Sequence, residues 1–255
     1  MNKIKRYVSF CLKTVVSAIF RRLSFQKWKE VHKVMGDQIL KHIADNFFSV
    51  IVTGTVNTIF DVGAHTGATA KKFAIDFPSA KIFAAEPSKK NYAALVSSIK
   101  NNPKIIASNW AFSDKDTEGQ FFHSENSQCN SLKIPWKHTG TSETVKIIRI
   151  DTFCKKEDIA RINILKIDTE GHEIEVLKGA KDMLEGGNID IIYVECGFKP
   201  GDTCHSNFFQ IANLLCAYNY NVAGFTETSN FMWSDVYTLL YCNAIFVRGQ
   251  QLRKH

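Results

Sequence analysis

The chain has 255 residues, 45% of them hydrophobic, which is enough to bury one large core; one domain plus an extension is the expected plan. Its formal charge of +7 is unevenly spread: residues 1–34 hold nine Lys/Arg against the single acid Glu30, a net of +8, so the remainder carries −1. The alkaline balance belongs to an arm, and nucleic-acid binding by the body gains no support from it.

In that arm Ile4, Val8, Cys11, Leu12, Val15, Ile19 and Leu23 recur at helical spacing, with Lys5, Lys13 and Arg21 among them. A membrane-spanning helix needs about 20 apolar residues, and Lys13 interrupts the segment well short of that. The same lysine breaks the apolar stretch of a signal peptide, and no small-x-small cleavage site follows. Two readings stay open: a helix lying on an anionic membrane surface, or one packed on the body or on a second subunit. Residues 1–50 are thus expected to be a basic amphipathic helical extension and residues 51–255 the main domain, with one more amphipathic helix at Leu40–Val52 where the arm passes into the body.

From there strands and helices alternate. Val56–Asp61 reads as a buried strand, followed by a helix to about Phe77. Strand Lys81–Glu86 leads into helix Lys89–Lys100, and Lys104–Ala111 is a third strand. Such alternation specifies a parallel sheet with right-handed crossovers. The rhythm breaks between Phe112 and Phe153, where an inserted β-meander or flap is expected, with a strand at Val145–Ile150 ending in Asp151. It resumes with strand Ile162–Asp168, helix Glu173–Leu184 and strand Asp190–Glu195. A helix from about Phe208 to Tyr218 precedes two late strands, Tyr220–Phe225 and Cys242–Val247, expected to form an antiparallel pair.

Two stretches carry chemistry. The first is Ile59–Gly67, an apolar strand ending in Asp61 and followed by Gly63 and Gly67 before a helix start. Glycine permits a tight turn and close backbone approach, and the free N–H groups of a helix start favour an anionic group. About 20 residues on, Glu86 closes the second strand, the place where an acid accepts hydrogen bonds from ribose hydroxyls in dinucleotide-type sites. A nucleoside-containing cofactor is expected there. The second stretch is Leu165–Glu173, dense in ionisable groups at the end of a strand. Asp168 and Glu170 suit proton transfer, hydroxyl orientation or a hard cation, and His172 suits a base near neutral pH. Glu173 reads as a favourable charge at a helix start, and Lys166 as a partner of Asp168.

In order along the chain, Phe60–Gly67, Ala85-Glu86-Pro87, Asn109–Ser113, Ile150–Phe153, Leu165–Glu173 and Val176–Ala180 resemble the FkbM family of S-adenosylmethionine-dependent methyltransferases. The resemblance runs from about Ile59 to Glu195. It implies a class I methyltransferase (Rossmann-like) α/β fold with a seven-stranded, mostly parallel sheet. It also implies O-methylation of a hydroxyl on a sugar, glycolipid or polyketide-like acceptor, with S-adenosyl-L-methionine as cofactor. His65 stands where such motifs often carry Asn. Carried onto this chain, Gly63 and Gly67 make room for the methionine part, with Asp61 ordering the turn or reaching the amino group. Glu86 takes the ribose hydroxyls, and Asn109 and Ala111 border the adenine. Asp168 and Glu170 face methyl group and acceptor: Glu170 or His172 removes the proton, and Asp168 orients the acceptor. A variant places Mg2+ on Asp168 and Glu195.

Acceptor choice is expected in Gly197–Asn207, Thr226–Tyr237 and the insertion around Trp136, which are long and aromatic. An NAD(P)-dependent oxidoreductase shares the strand–glycine–helix plan, but G-x-G-x-x-G is missing. A catalytically inactive, membrane-recruited nucleotide-binding module is the non-enzymatic alternative. Seven scattered cysteines without a C-x-x-C pair fit neither a disulfide framework nor a structural zinc site, and the pair Cys204-His205 is read as incidental. A cytoplasmic location, peripheral to a membrane through residues 1–34, is the expectation that follows.

Overall fold

The computed structural model describes residues 55–135, 137–199, 201–233 and 236–249. The basic arm, the helix expected at Leu40–Val52, the boundary near residue 50 and Trp136 lie outside the described residues.

The described body is built on a seven-stranded sheet in the order β3-β2-β1-β7-β8-β10-β9. Its parallel part comprises β1 (Thr58–Val62), β2 (Lys81–Ala85), β3 (Ile105–Ser108), β7 (Ile162–Ile167) and β8 (Ile189–Gly197). β9 (Tyr220–Trp233) and β10 (Val236–Arg248) form an antiparallel hairpin, and β10 also runs antiparallel to β8. This is the mostly parallel seven-stranded arrangement of the class I methyltransferase fold. Its central strands are apolar on both faces because helices cover both, as β7 illustrates: Ile162, Ile164, Leu165 and Ile167 are all buried. On one face Phe60, Phe83 and Phe112 surround Phe153, whose ring meets those of Phe83 and Phe112 edge-on at centroid distances of 5.5 Å.

Helices α1 (Ala68–Asp76) and α2 (Lys89–Ile99) follow β1 and β2 as the alternation requires. Ser88 caps α2 by accepting a hydrogen bond from the Asn91 amide. The third strand is split. At Asn109 the side-chain amide donates to the carbonyls of Glu86 and Pro87, each at 2.9 Å, and the chain leaves the main sheet. It continues as β4 (Ala111–Phe112) in a second sheet of order β4-β6-β5, with β5 at Thr117–Ser124 and β6 at His138–Ile148. That small sheet is the flap expected between Phe112 and Phe153.

Three further differences have local causes. Ile150–Lys156 is a helix, α3, which begins at Asp151's neighbour and not in a strand that runs to Asp151. An acid in its first turn and Lys155 and Lys156 in its last complement the helix dipole, and it carries Phe153 into the aromatic cluster. The helix expected over Glu173–Leu184 is two short ones, α4 (Glu173–Lys178) and α5 (Lys181–Glu185). They break at Gly179, where a Cβ would stand 1.9 Å from the Ser113 carbonyl oxygen, so the backbones meet there without room for a side chain. The late strands are far longer than expected, and Thr226–Tyr237 belongs to the β9–β10 hairpin and is not a loop. α6 (Phe208–Cys216) packs on the sheet against β8 and β9, with Ile211 and Leu215 buried.

Candidate active site

β1, β2 and β7 end in register, Val62 opposite both Ala85 and Ile167, so the turns that follow them open on one sheet edge. A cavity of about 420 Å³ occupies that edge. In open α/β sheets the carboxyl ends of the strands are where ligands sit.

Gly63 begins the first turn with φ 79, and an added Cβ would stand 1.7 Å from the Asp168 carbonyl oxygen. Backbone from β1 and β7 therefore meets in the cavity wall as only glycine allows. His65 follows at φ 47, a left-handed conformation in which Asn, Asp and His are enriched. Its amide donates to Glu86 Oε2 at 2.9 Å, and its Nε2 lies 3.1 Å from Ser127 Oγ. Glu86 Oε1 accepts from the Ser88 amide at 2.9 Å. One backbone amide reaches each Glu86 oxygen and the Asn91 side chain is a third hydrogen-bond partner, so about one acceptor site of the carboxylate is left over. Burial pushes this carboxyl up to about 7, against the hydrogen bonds from the Ser88 and His65 amides and the Asn91 side chain that favour its charged form.

Lys166 lies beneath the turn, almost fully buried. Its ammonium stands 3.1 Å from Asp61 Oδ1, 3.2 Å from Asp168 Oδ2 and 3.1 Å from the Gly63 carbonyl oxygen. Burial alone would lower its pKa, but Asp168 and Asp61 outweigh that and hold it above the usual lysine range. Asp61 is fully buried and lies outside the cavity lining, so its contact is with Lys166 under the turn. Gly67, at φ 84, starts α1 and also lies outside the lining. So does Asn109, whose amide is spent on the two carbonyls already named, whereas Trp110 and Ala111 line the cavity.

The loop after β7 brings Asp168, Glu170 and His172 to the cavity. It is shaped by φ values of 54 at Glu170 and 96 at Gly171 and held by Glu173. Glu173 is fully buried. Its Oε1 accepts from the Thr169 amide, the Thr169 hydroxyl and the Gly171 amide, each at 3.0 Å, and its Oε2 accepts from the Ser206 amide at 3.0 Å. This side chain is more than a helix-start charge: it clamps the loop after β7 to the one after β8. His172 Nε2 is 2.8 Å from Ser113 Oγ and its Nδ1 is 3.6 Å from Glu175 Oε2, and burial lowers its pKa.

β8 delivers Glu195 to the same space, beside Asp168. Burial, then Asp168, pushes Glu170 up to about 8, and burial with the Asp168 and Glu170 charges pushes Glu195 up to about 10. Three carboxyl groups so close cannot all ionise freely. His205 completes the wall. Its Nδ1 lies 2.8 Å from Asp202 Oδ2 and its Nε2 3.7 Å from Glu195 Oε2, and its ring stacks on Tyr241 at a centroid distance of 4.6 Å. The sequence held one signal for this group, Asp202 three residues before His205, which the adjacent Cys204 obscured. Cys196 plays no part in the cavity and packs in the core against Cys242, with 3.7 Å between the sulfurs.

A methyltransferase FkbM domain model matches residues 61–222. A curated relative, the hexuronic acid methyltransferase AglP of Haloferax volcanii, is 29% identical over 147 residues, 57% of this chain. The aligned region spans 59% of that relative's length. Among solved structures, the precorrin-6y C5,15-methyltransferase of Geobacter metallireducens superposes with a TM-score of 0.45 at 10% identity, over 79% of this chain and 84% of that one. The magnesium protoporphyrin IX methyltransferase of Synechocystis, with bound SAM, gives a TM-score of 0.45 at 10% identity over 93% and 97%.

Proposed function

The chain belongs to the methyltransferase FkbM family, and on that premise we propose that it moves the methyl group of S-adenosyl-L-methionine to a hydroxyl of a sugar, glycolipid or polyketide-like acceptor. The observation that carries the reading is the pairing of the Gly63 turn with Glu86 through the His65 amide on one side of the cavity. The residues present fit the nucleoside. Glu86 lines the cavity with acceptor capacity left for a ribose hydroxyl, Gly63 admits a ligand against bare backbone, and Ala111 with Trp110 offers an apolar wall to a base.

When bound, the cofactor supplies an electrophilic sulfonium methyl. The chain's share is alignment, worth roughly 7–11 kcal/mol, and removal of the acceptor proton, worth about 10²–10⁴-fold in rate. The proton falls to the carboxylates that face the acceptor, Asp168 and Glu170. Glu170 is suited by a pKa raised to about 8, close to working pH. His172 serves this less well, because its two ring nitrogens already face Ser113 and Glu175. A sugar acceptor draws support from the name of the relative AglP.

Thermal-shift measurements with S-adenosylmethionine, S-adenosylhomocysteine and NAD test the cofactor. At 100 times Kd a ligand adds about 2.7 kcal/mol, which raises the melting temperature of a body this size by about 5–10 °C. Stabilisation by both sulfur nucleosides and not by NAD is expected; stabilisation by NAD alone, or by none, refutes the proposal. Labelled cofactor with a panel of glycan, glycolipid and polyketide hydroxyls then identifies the acceptor class.

A further inference from the structure

We infer that Glu170, Glu195 and His205 form a binding site for one divalent first-row cation, Mn2+ in the first instance, in the acceptor half of the cavity. The inference rests on the methyltransferase reading for its role but not for its geometry.

A carboxylate oxygen from each glutamate and a ring nitrogen of His205 all lie within 4.8 Å of one another, close enough to share one ion. Two further observations separate this group from an ordinary acidic cluster. First, His205 is oriented. Nδ1 points at Asp202 Oδ2 at 2.8 Å, Asp202 Oδ1 is anchored by the Cys204 and His205 amides, and Tyr241 stacks on the ring. A histidine that gives its Nδ1 proton to a carboxylate presents a bare lone pair at Nε2, the usual arrangement behind a metal-bound imidazole. Second, that lone pair faces Glu195 Oε2 at 3.7 Å, too far for a hydrogen bond, and Glu195 Oε2 is buried with no hydrogen-bond partner among the described residues. While the Glu195 carboxyl has its hydrogen bond with Asp168, no hydrogen bond bridges the gap between these two atoms. A cation satisfies both at once.

The donor set selects the ion. Two carboxylates suit Mg2+ and Mn2+, while an imidazole nitrogen suits the first-row transition ions, so Mn2+ meets both demands and Zn2+ is its competitor. This set also differs from the Asp168 and Glu195 pair expected for Mg2+, because Asp168 is engaged by Lys166. With three protein ligands the ion keeps open positions for the acceptor hydroxyl, and binding there lowers the hydroxyl's pKa. With Glu170 held by the ion, it no longer serves as base: the hydroxyl proton passes to Asp168, the oxygen forms its bond to the methyl carbon, and the carbon–sulfur bond breaks to leave the neutral thioether.

Mn2+ alone is titrated into the chelator-treated full-length protein, and free Mn2+ is read from its electron paramagnetic resonance signal, with Zn2+ and Mg2+ as competitors. One ion per chain is expected, with Glu195→Gln and His205→Ala each weakening it at least about 10-fold. Circular dichroism and S-adenosylhomocysteine binding verify that each variant folds, and two variants guard against the loss of one. Wild-type protein that takes up no Mn2+ at about 1 mM, or Glu195→Gln that binds as tightly as wild type, overturns the site. Wild-type protein that binds S-adenosylhomocysteine but takes up no Mn2+ overturns the cation site and leaves the methyltransferase reading standing; wild-type protein that takes up Mn2+ but binds no S-adenosylhomocysteine does the reverse.

Discussion

Glu173 offers the sharpest test of how the cavity is held together. In Glu173→Gln the side chain keeps its shape and loses its charge. One amide oxygen can still accept from Thr169 and Gly171, but the NH2 group then faces the Ser206 N–H, donor against donor. A hydrogen bond to a charged group contributes about 1.5–3 kcal/mol, and a stranded buried donor costs about 1–3 kcal/mol. The three remaining bonds also weaken on loss of the charge. Against this, removing a buried charge recovers part of its desolvation cost. The donors win here, because three of the four belong to the backbone and cannot turn away. A net loss of about 2–4 kcal/mol is expected, a large share of the ~5–15 kcal/mol that holds a typical domain. Urea unfolding followed by circular dichroism measures it from the midpoint at unchanged slope. A loss below about 1 kcal/mol refutes the clamp, since it would mean the four donors find equal partners without the carboxylate.

Gly63→Ala sets a methyl group onto the Asp168 carbonyl at a positive φ, so it should abolish stabilisation by S-adenosylhomocysteine in a thermal-shift assay and lower the melting temperature of the ligand-free protein. Glu86 is held near 7, and its charged form is the better acceptor for a ribose diol, so S-adenosylhomocysteine affinity by calorimetry should rise from pH 6 to pH 8 and flatten in Glu86→Gln. The same raised pKa means the native state holds this proton more tightly than the unfolded chain. Its contribution to ligand-free stability should therefore fall as pH rises from about 4.5 to about 7, which urea midpoints across that range would read. Asp151→Ala removes the acceptor of the Asp182 and Met183 amides at 3.0 and 3.1 Å and of the Arg149 guanidinium at 2.7 Å. It should cost about 2–4 kcal/mol by urea unfolding while leaving S-adenosylhomocysteine affinity unchanged, because Asp151 lies away from the cavity.

The parallel half of the fold is legible in the chain because its strands are mostly apolar runs, those of β1, β2, β7 and β8 meeting an acid or a glycine at or near their ends, and the helices between them are marked by caps or breakers. What escaped notice depends on contacts distant in sequence. α3 is a helix partly because Phe153 must reach Phe60 and Phe83, and the break at Gly179 exists because Ser113 lies against it. The long β9–β10 hairpin was hidden by the polar run Thr226–Asn230, whose strand pairing only β10 supplies. In the cavity, Glu86, Asp168 and Glu170 could be picked out because strand ends mark the ligand edge. Glu173 reads from the sequence only as a favourable helix-start charge, because the Ser206 amide that it also holds lies 33 residues away. His205 was set aside because nothing in its own neighbourhood of sequence announces Glu195, which arrives from a strand ten residues earlier.

The three-way contact of Lys166 ties the two halves of the cavity together. One ammonium is counter-charge to Asp61 and Asp168 and donates a hydrogen bond to the Gly63 carbonyl, so it joins the turn after β1 to the loop after β7. A guest that draws Asp168 toward itself alters the field under the other half, and the reverse holds with equal strength. On the proposed reading of the cavity, donor and acceptor affinities are expected to be thermodynamically linked through this single buried lysine, whichever arrives first.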